Sequence, residues 1–111
     1  MSPAEALAAL RAAEARDGAP DLARRRELLA RLAAEMKRRA EEIVAAGAAD
    51  FGGRSRIETL LADAVLVADF ALHARRKLRG WMRPKRVGVP FPFLPARARL
   101  EPVPKGVVGI M

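Results

Sequence analysis

Few residues of this chain are of types that do chemistry, and they lie far apart in sequence. His73 is the one histidine, and histidine is the side chain most ready to carry a proton near neutrality. A metal site would need further ligands at suitable spacing, and the chain has no cysteine and no second histidine, so His73 reads as a structural or surface residue. Glu41, Glu42 and Asp50 could in principle form an acid/base pair, yet such carboxylates mostly solvate a helix face. Asp50, next to Phe51-Gly52, is better suited to holding a turn through its side chain. No metal ligand set and no catalytic residue is assigned within these 111 residues. The absence of cysteine also removes disulfides and a thiolate nucleophile from them, in keeping with a reducing compartment.

Two further patterns invite a functional reading. Gly106 and Gly109 lie inside the apolar run Gly106-Val107-Val108-Gly109-Ile110-Met111, whereas a dinucleotide fingerprint sets its glycines after a strand and at the opening of a helix. No Walker sequence is present. The run from Arg75 to Arg86, with Trp81 inside it, could neutralise phosphates and stack a base. No recognition motif surrounds it, and Trp81 continues the helical spacing of Leu78, so a solvated basic face with a packed tryptophan is the favoured reading.

The elements that would position these residues are mostly helical. Ser2-Pro3-Ala4-Glu5 carries a capping serine, a proline at the first helical position and a capping-box acid. It predicts a helix to about Arg16, ended by Asp17-Gly18-Ala19-Pro20. Leu22, Leu29, Leu32, Met36, Ala40 and Ile43 predict a second helix from about Asp21 to Ala46, broken by Gly47 and Phe51-Gly52-Gly53. Ser55-Arg56-Ile57-Glu58 matches a second capping box. The stripe Ile57, Leu60, Leu61, Ala64, Val65, Ala68, Leu72, Arg75 and Leu78 then predicts a third helix to about Trp81, stopped by Arg83-Pro84. Residues 84–95 read as irregular, since Pro90, Pro92 and Pro95 remove backbone donors. Alternation over Ala96 to Val103 predicts a half-exposed strand. The final apolar run from Gly106 predicts the opening of a buried parallel strand.

An internal strand of that kind needs neighbours, so the chain is expected to be the N-terminal piece of a larger α/β protein. Apolar residues make up 51% of the sequence and charged residues 31%, which suits a folded protein, although much of the apolar share is alanine. Net charge is +8, and all of the excess falls between Arg75 and Lys105, where ten basic residues meet the single acid Glu101. Such asymmetry suits nucleic acid, an anionic surface, or an acidic partner elsewhere. No apolar stretch reaches the roughly 18 residues that cross a bilayer, and no secretory signal opens the chain. A cytoplasmic protein is expected.

Several of these segments occur together in one family. Asp50-Phe51-Gly52-Gly53-Arg54-Ser55 with Glu58-Thr59, then Trp81-Met82-Arg83-Pro84, then Glu101 to Ile110, resemble in order and spacing the amino-terminal region of aldehyde dehydrogenases. The D-F-G-x-R-S and W-M-x-P pair is most similar to the coniferyl aldehyde dehydrogenase branch. The resemblance covers nearly the whole chain and is weakest before about residue 20. Lys105 departs from the family's common Pro-Leu-Gly at a turn.

The resemblance implies an NAD- or NADP-dependent enzyme that oxidises an aldehyde to a carboxylic acid through a cysteine thioester. It implies a mainly α fragment, a helical cover with one or two β-strands, of an α/β fold with a Rossmann-like cofactor domain. Residues 1–20 would be an N-terminal helix and turn, and 21–83 two long helices over the cofactor domain. Residues 84–105 would be a Pro-rich connection and oligomerisation-arm strand, and 106–111 the first strand of the nucleotide-binding domain. Only Ile110 and Met111 match positions bordering the cofactor. The implied partners are the rest of the catalytic domain, further copies in a homo-oligomer and the aldehyde, with no nucleic acid and no membrane. Without the family's cysteine, the chain alone is expected to be inactive. The alternative reading is a small basic helical module that binds nucleic acid or an anionic surface.

Overall fold

The computed structural model describes residues 2–109. They divide into two units: Leu22–Arg79, and a second made of residues up to Asp21 together with those from Gly80 onward.

The Leu22–Arg79 unit contains α2 (Leu22–Arg38), α3 (Ala40–Phe51) and a long rod. The rod opens with the single turn α4 (Arg56–Thr59), passes through a π-helical stretch (Leu60–Val65) and continues as α5 (Leu66–Trp81) beyond the unit. Its core is small. Ala33 of α2 and Ala68 and Ala71 of α5 are buried together, with Leu29, Met36 and Leu72 packed around them. Side chains this short bury little apolar area, so the contact rests more on dispersion across the seam.

The expected second helix, residues 21–46, forms as two. Arg39 leaves helical geometry (φ −98°, ψ 14°), while Arg39 N–H still donates to the Glu35 carbonyl at 2.9 Å and Ile43 N–H to the Arg39 carbonyl at 3.0 Å. Glu35 holds this joint by accepting from Arg38 Nη2 at 2.6 Å and Arg39 Nε at 3.1 Å. Gly47, expected to break the helix, lies inside α3. It serves packing: a Cβ there would stand 3.4 Å from Thr59 Oγ1 and 3.5 Å from Thr59 Cγ2, so the bare backbone faces a threonine that is only 1% exposed. The stop comes at Gly52, left-handed at φ 65°, where Gly53 N–H also donates to the Ala48 carbonyl at 3.1 Å.

The third helix runs to Trp81 as expected, but with a different inward face. In the π stretch, Leu66 N–H donates five residues back to the Leu61 carbonyl. Thr59 and Ala64, five apart, are therefore both buried, and Ala68 and Ala71 follow at four and three. Ile57, Leu61 and Val65, expected on the core stripe, are exposed instead. The capping box at Ser55 does not form: its side chain makes no cap hydrogen bond, and the Glu58 carboxylate lies 3.8 Å from Arg54 Nε.

In the other unit, α1 (Pro3–Asp17) has the expected box, with Ser2 N–H donating to Glu5 Oε2 at 2.7 Å and Glu5 N–H to Ser2 Oγ at 3.3 Å. Gly106, at φ 86°, passes so near α1 that a Cβ would stand 3.0 Å from Glu14 Oε1. The segment expected to be irregular holds β1 (Lys85–Val87), which pairs antiparallel with β2 (Ala98–Leu100) in the predicted strand region. Pro90 and Pro92 lie outside both strands, in and before a 3₁₀ turn at Phe91–Phe93. Residues 106–109 join no strand ladder among the described residues.

Placing a methyl at Gly47 creates only ordinary contact with Thr59 and removes a helix-interior glycine. Gly47→Ala is therefore expected to raise stability by about 0.5–1 kcal/mol, and Gly47→Leu to lower it by about 1–3 kcal/mol through overpacking. Urea unfolding of the two variants checks both signs.

Candidate functional site

The best-organised polar cluster lies at the α3–α4 turn. Glycine at 52 and 53 turns the chain sharply, and Arg54 then points back across the turn. Its Nη1 donates to Asp63 Oδ2 at 2.7 Å, its Nε lies 3.8 Å from Glu58 Oε1, and its guanidinium sits 5.5 Å from the Phe51 ring centroid. The Arg54 side chain is 23% exposed and that of Asp63 41%, so water screens the pair on one side. One planar cation thus ties the end of α3 to the start of the rod. A second tie is the Arg56–Glu41 ion pair, which joins α4 to α3.

Beside this turn an apolar groove of about 310 Å³ is lined by Ala40, Leu60, Ala64, Ala68 and Leu72, with Lys37 and Asp69 at its polar margin. Small side chains along the seam leave this space open. It holds neither a nucleophile next to a base nor a cluster of acids. Among the described residues no three of His, Cys, Asp or Glu gather as a metal-binding set.

The sequence-derived candidates fall apart in space. His73 is exposed on α5 and has a partner contact. Glu41 is engaged by Arg56. Asp50 is exposed and makes no side-chain hydrogen bond among those described, so the turn it was expected to hold is closed by Gly52 and the Ala48 carbonyl instead. Trp81, expected to be packed, is 53% exposed. Arg75 is half-buried with its Nε out of reach of any acceptor. Ile110 and Met111, the two positions matched to a cofactor, lie outside the described residues.

Two exposed carboxylates are held ionised by arginine. The Arg38 guanidinium keeps the Glu35 carboxyl below the usual glutamate range, helped by Arg39, and Arg16 does the same for Asp17. Such groups are poor general bases. The residues that sequence reasoning missed as a set are Arg54 and Asp63. Their nine-residue separation matches no local helix rule; the left-handed glycines just before Arg54 turn it back onto the rod that carries Asp63.

The chain is similar in sequence to three known proteins. A probable coniferyl aldehyde dehydrogenase of Pseudomonas aeruginosa is 34% identical over 92 residues, 83% of this chain and 19% of that protein. The coniferyl aldehyde dehydrogenase of a Pseudomonas species is 36% identical over 106 residues, 96% of this chain and 22% of its own. A probable coniferyl aldehyde dehydrogenase of Caulobacter vibrioides is 35% identical over 104 residues, 91% and 21% of the two chains. The chain is related by sequence to the aldehyde dehydrogenase family. It spans about a fifth of the length of these relatives. No family model and no solved structure matches it. Within this chain, the motif Asp50 to Ser55 serves as a structural clamp. No helix among the described residues is long and apolar enough to cross a membrane.

The clamp makes a measurable prediction. Arg54→Ala is expected to destabilise the chain by about 1–2 kcal/mol, through the ion pair and the Phe51 contact. The Arg54/Asp63 double-mutant cycle should return about 0.5–1 kcal/mol of coupling, as suits a half-screened pair. Chemical unfolding of the two single variants and the double variant measures both.

Proposed function

We propose that this chain is the amino-terminal part of an NAD(P)-dependent aldehyde dehydrogenase acting on coniferyl aldehyde or a similar aromatic aldehyde. The observation that carries the reading is the match of 36% identity over 106 residues to a coniferyl aldehyde dehydrogenase, a relation that includes the Arg54 clamp region. The large apolar side chains exposed on the rod, Ile57, Leu61, Val65 and Phe70, are consistent with helices that cover another layer. In this reading that layer is the rest of the catalytic domain, and the whole enzyme is a homo-oligomer.

The described residues do not themselves seat a dinucleotide. They contain no strand followed by a glycine turn that opens a helix, the unit that presents backbone N–H groups to a pyrophosphate. Oxidation of an aldehyde through a thioester requires an activated thiolate and donors aimed at the developing oxyanion, and the chain has no cysteine. Its own contribution is structural: it holds the helical cover in register.

Two assays follow. The chain alone, incubated with NAD⁺ and coniferyl aldehyde, is expected to form no NADH above a protein-free blank, and turnover there would overturn the assignment of chemistry to other residues. Replacing the matched region of the Pseudomonas coniferyl aldehyde dehydrogenase with this chain is expected to preserve coniferyl aldehyde oxidation. A soluble, assembled chimera with no activity would contradict the proposed function.

A further inference from the structure

The rod that begins at Arg56 has two ways to face the rest of its unit, and its residue types favour the one it does not show. In a uniform α-helix each residue turns by about 100°. Counted back from the buried Ala68, Leu61 and Ile57 would then fall within about 20° of its face, and Thr59 about 180° away. The π stretch over Leu60–Val65 reverses this. Thr59 is buried, while Leu61 is 57% and Ile57 67% exposed. The Thr59 hydroxyl has no hydrogen-bond partner among the described residues, a cost that a uniform helix would not incur. The inner face thus takes one polar side chain and leaves out two large apolar ones.

The contacts that hold this wide register lie at the start of the rod. Asp63, inside the π stretch, accepts from Arg54 Nη1 at 2.7 Å, and Arg56 of α4 pairs with Glu41 of α3. Both ion pairs are partly open to water, so each contributes modestly. We infer that the first turns of the rod form a two-register switch, with the Arg54–Asp63 pair as its latch. In the second register Leu66 N–H donates to the Ala62 carbonyl in place of the Leu61 carbonyl it meets here. The α4 turn rotates by about 100°, Ile57 and Leu61 move inward, and Thr59 reaches solvent. Ala68 and Ala71 stay against Ala33, so the change is confined to the rod before Ala68. Two packed arrangements that differ by so few contacts make an element bistable. Loosening the latch withdraws Ile57 and Leu61 from the outer surface of the rod. The inference concerns the inner face of one unit; it goes beyond the dehydrogenase reading and does not depend on it.

Amide relaxation dispersion on the whole chain, which detects microsecond-to-millisecond exchange with a minor state, provides the test. Arg54→Gln is expected to raise the minor population about two- to fivefold, as suits a half-screened pair, with exchange confined to the rod before Ala68 and circular dichroism unchanged. Asp63→Asn gives the same direction from the other side of the latch, and serves if the Arg54 variant unfolds. Thr59→Val removes the unpartnered hydroxyl, and is expected to lower the minor population at least about fivefold. Deleting the exposed Ala62 leaves Leu61 and Leu66 four apart, so the π turn closes as α with both flanking faces kept. In that variant the exchange is expected to vanish. Flat profiles in both the parent chain and the latch variants overturn the inference. So do a population unmoved by loss of the latch, one raised or unmoved by Thr59→Val, and exchange that survives the deletion.

Discussion

Ala33 of α2 against Ala68 and Ala71 of α5 is the contact on which the larger unit depends. Each methyl buries little apolar surface, on the order of 0.8 kcal/mol per carbon, so the seam cannot hold by hydrophobic area alone. It depends on which small residues face inward, and two features settle that. The π stretch shifts the rod so that Thr59, Ala64, Ala68 and Ala71 share one face, and position 47, with room for no more than a methyl, lets α3 lie against Thr59. The cost is visible at Thr59, whose hydroxyl is buried without a hydrogen-bond partner. Because small residues take the inside, the large ones take the outside, and Ile57, Leu61, Val65 and Phe70 face outward.

The Arg54 clamp follows from the same constraint. A seam without large interlocking side chains has little to fix how α3 meets the rod, and the guanidinium held between Phe51 and Asp63 sets that angle. This gives a physical reason for a D-F-G-x-R-S sequence at this point. Glycine makes the left-handed turn, arginine bridges it, phenylalanine receives the cation's face, and serine opens the next helix.

Local signals in the sequence were legible where nothing competed with them. The Ser2–Glu5 box forms because both partners are exposed and otherwise unengaged. The same pattern at Ser55 fails because Arg54 lies close enough to draw Glu58 away. Helix extents were readable from periodicity, but the inward face was not: a single wide turn rotates it by about one residue, and periodicity assumes a uniform 3.6. Gly47 reads as a breaker only if its packing role is unknown. Strand β1 was hidden by flanking prolines that lie outside the ladder. The Arg54–Asp63 pair could not be inferred from spacing, and the opposition of Arg86 to Arg99 depends on a register that only pairing defines.

The central claim is that a seam of alanines, and not a conventional large-residue core, organises the helical unit. Native-state amide hydrogen exchange tests it most directly. The slowest amides are expected in the two facing stretches, Leu29 to Met36 and Ala64 to Leu72, with faster exchange in α1 and the hairpin. Slowest exchange in α1 or in the hairpin, or equally fast exchange throughout both facing stretches, would contradict the account.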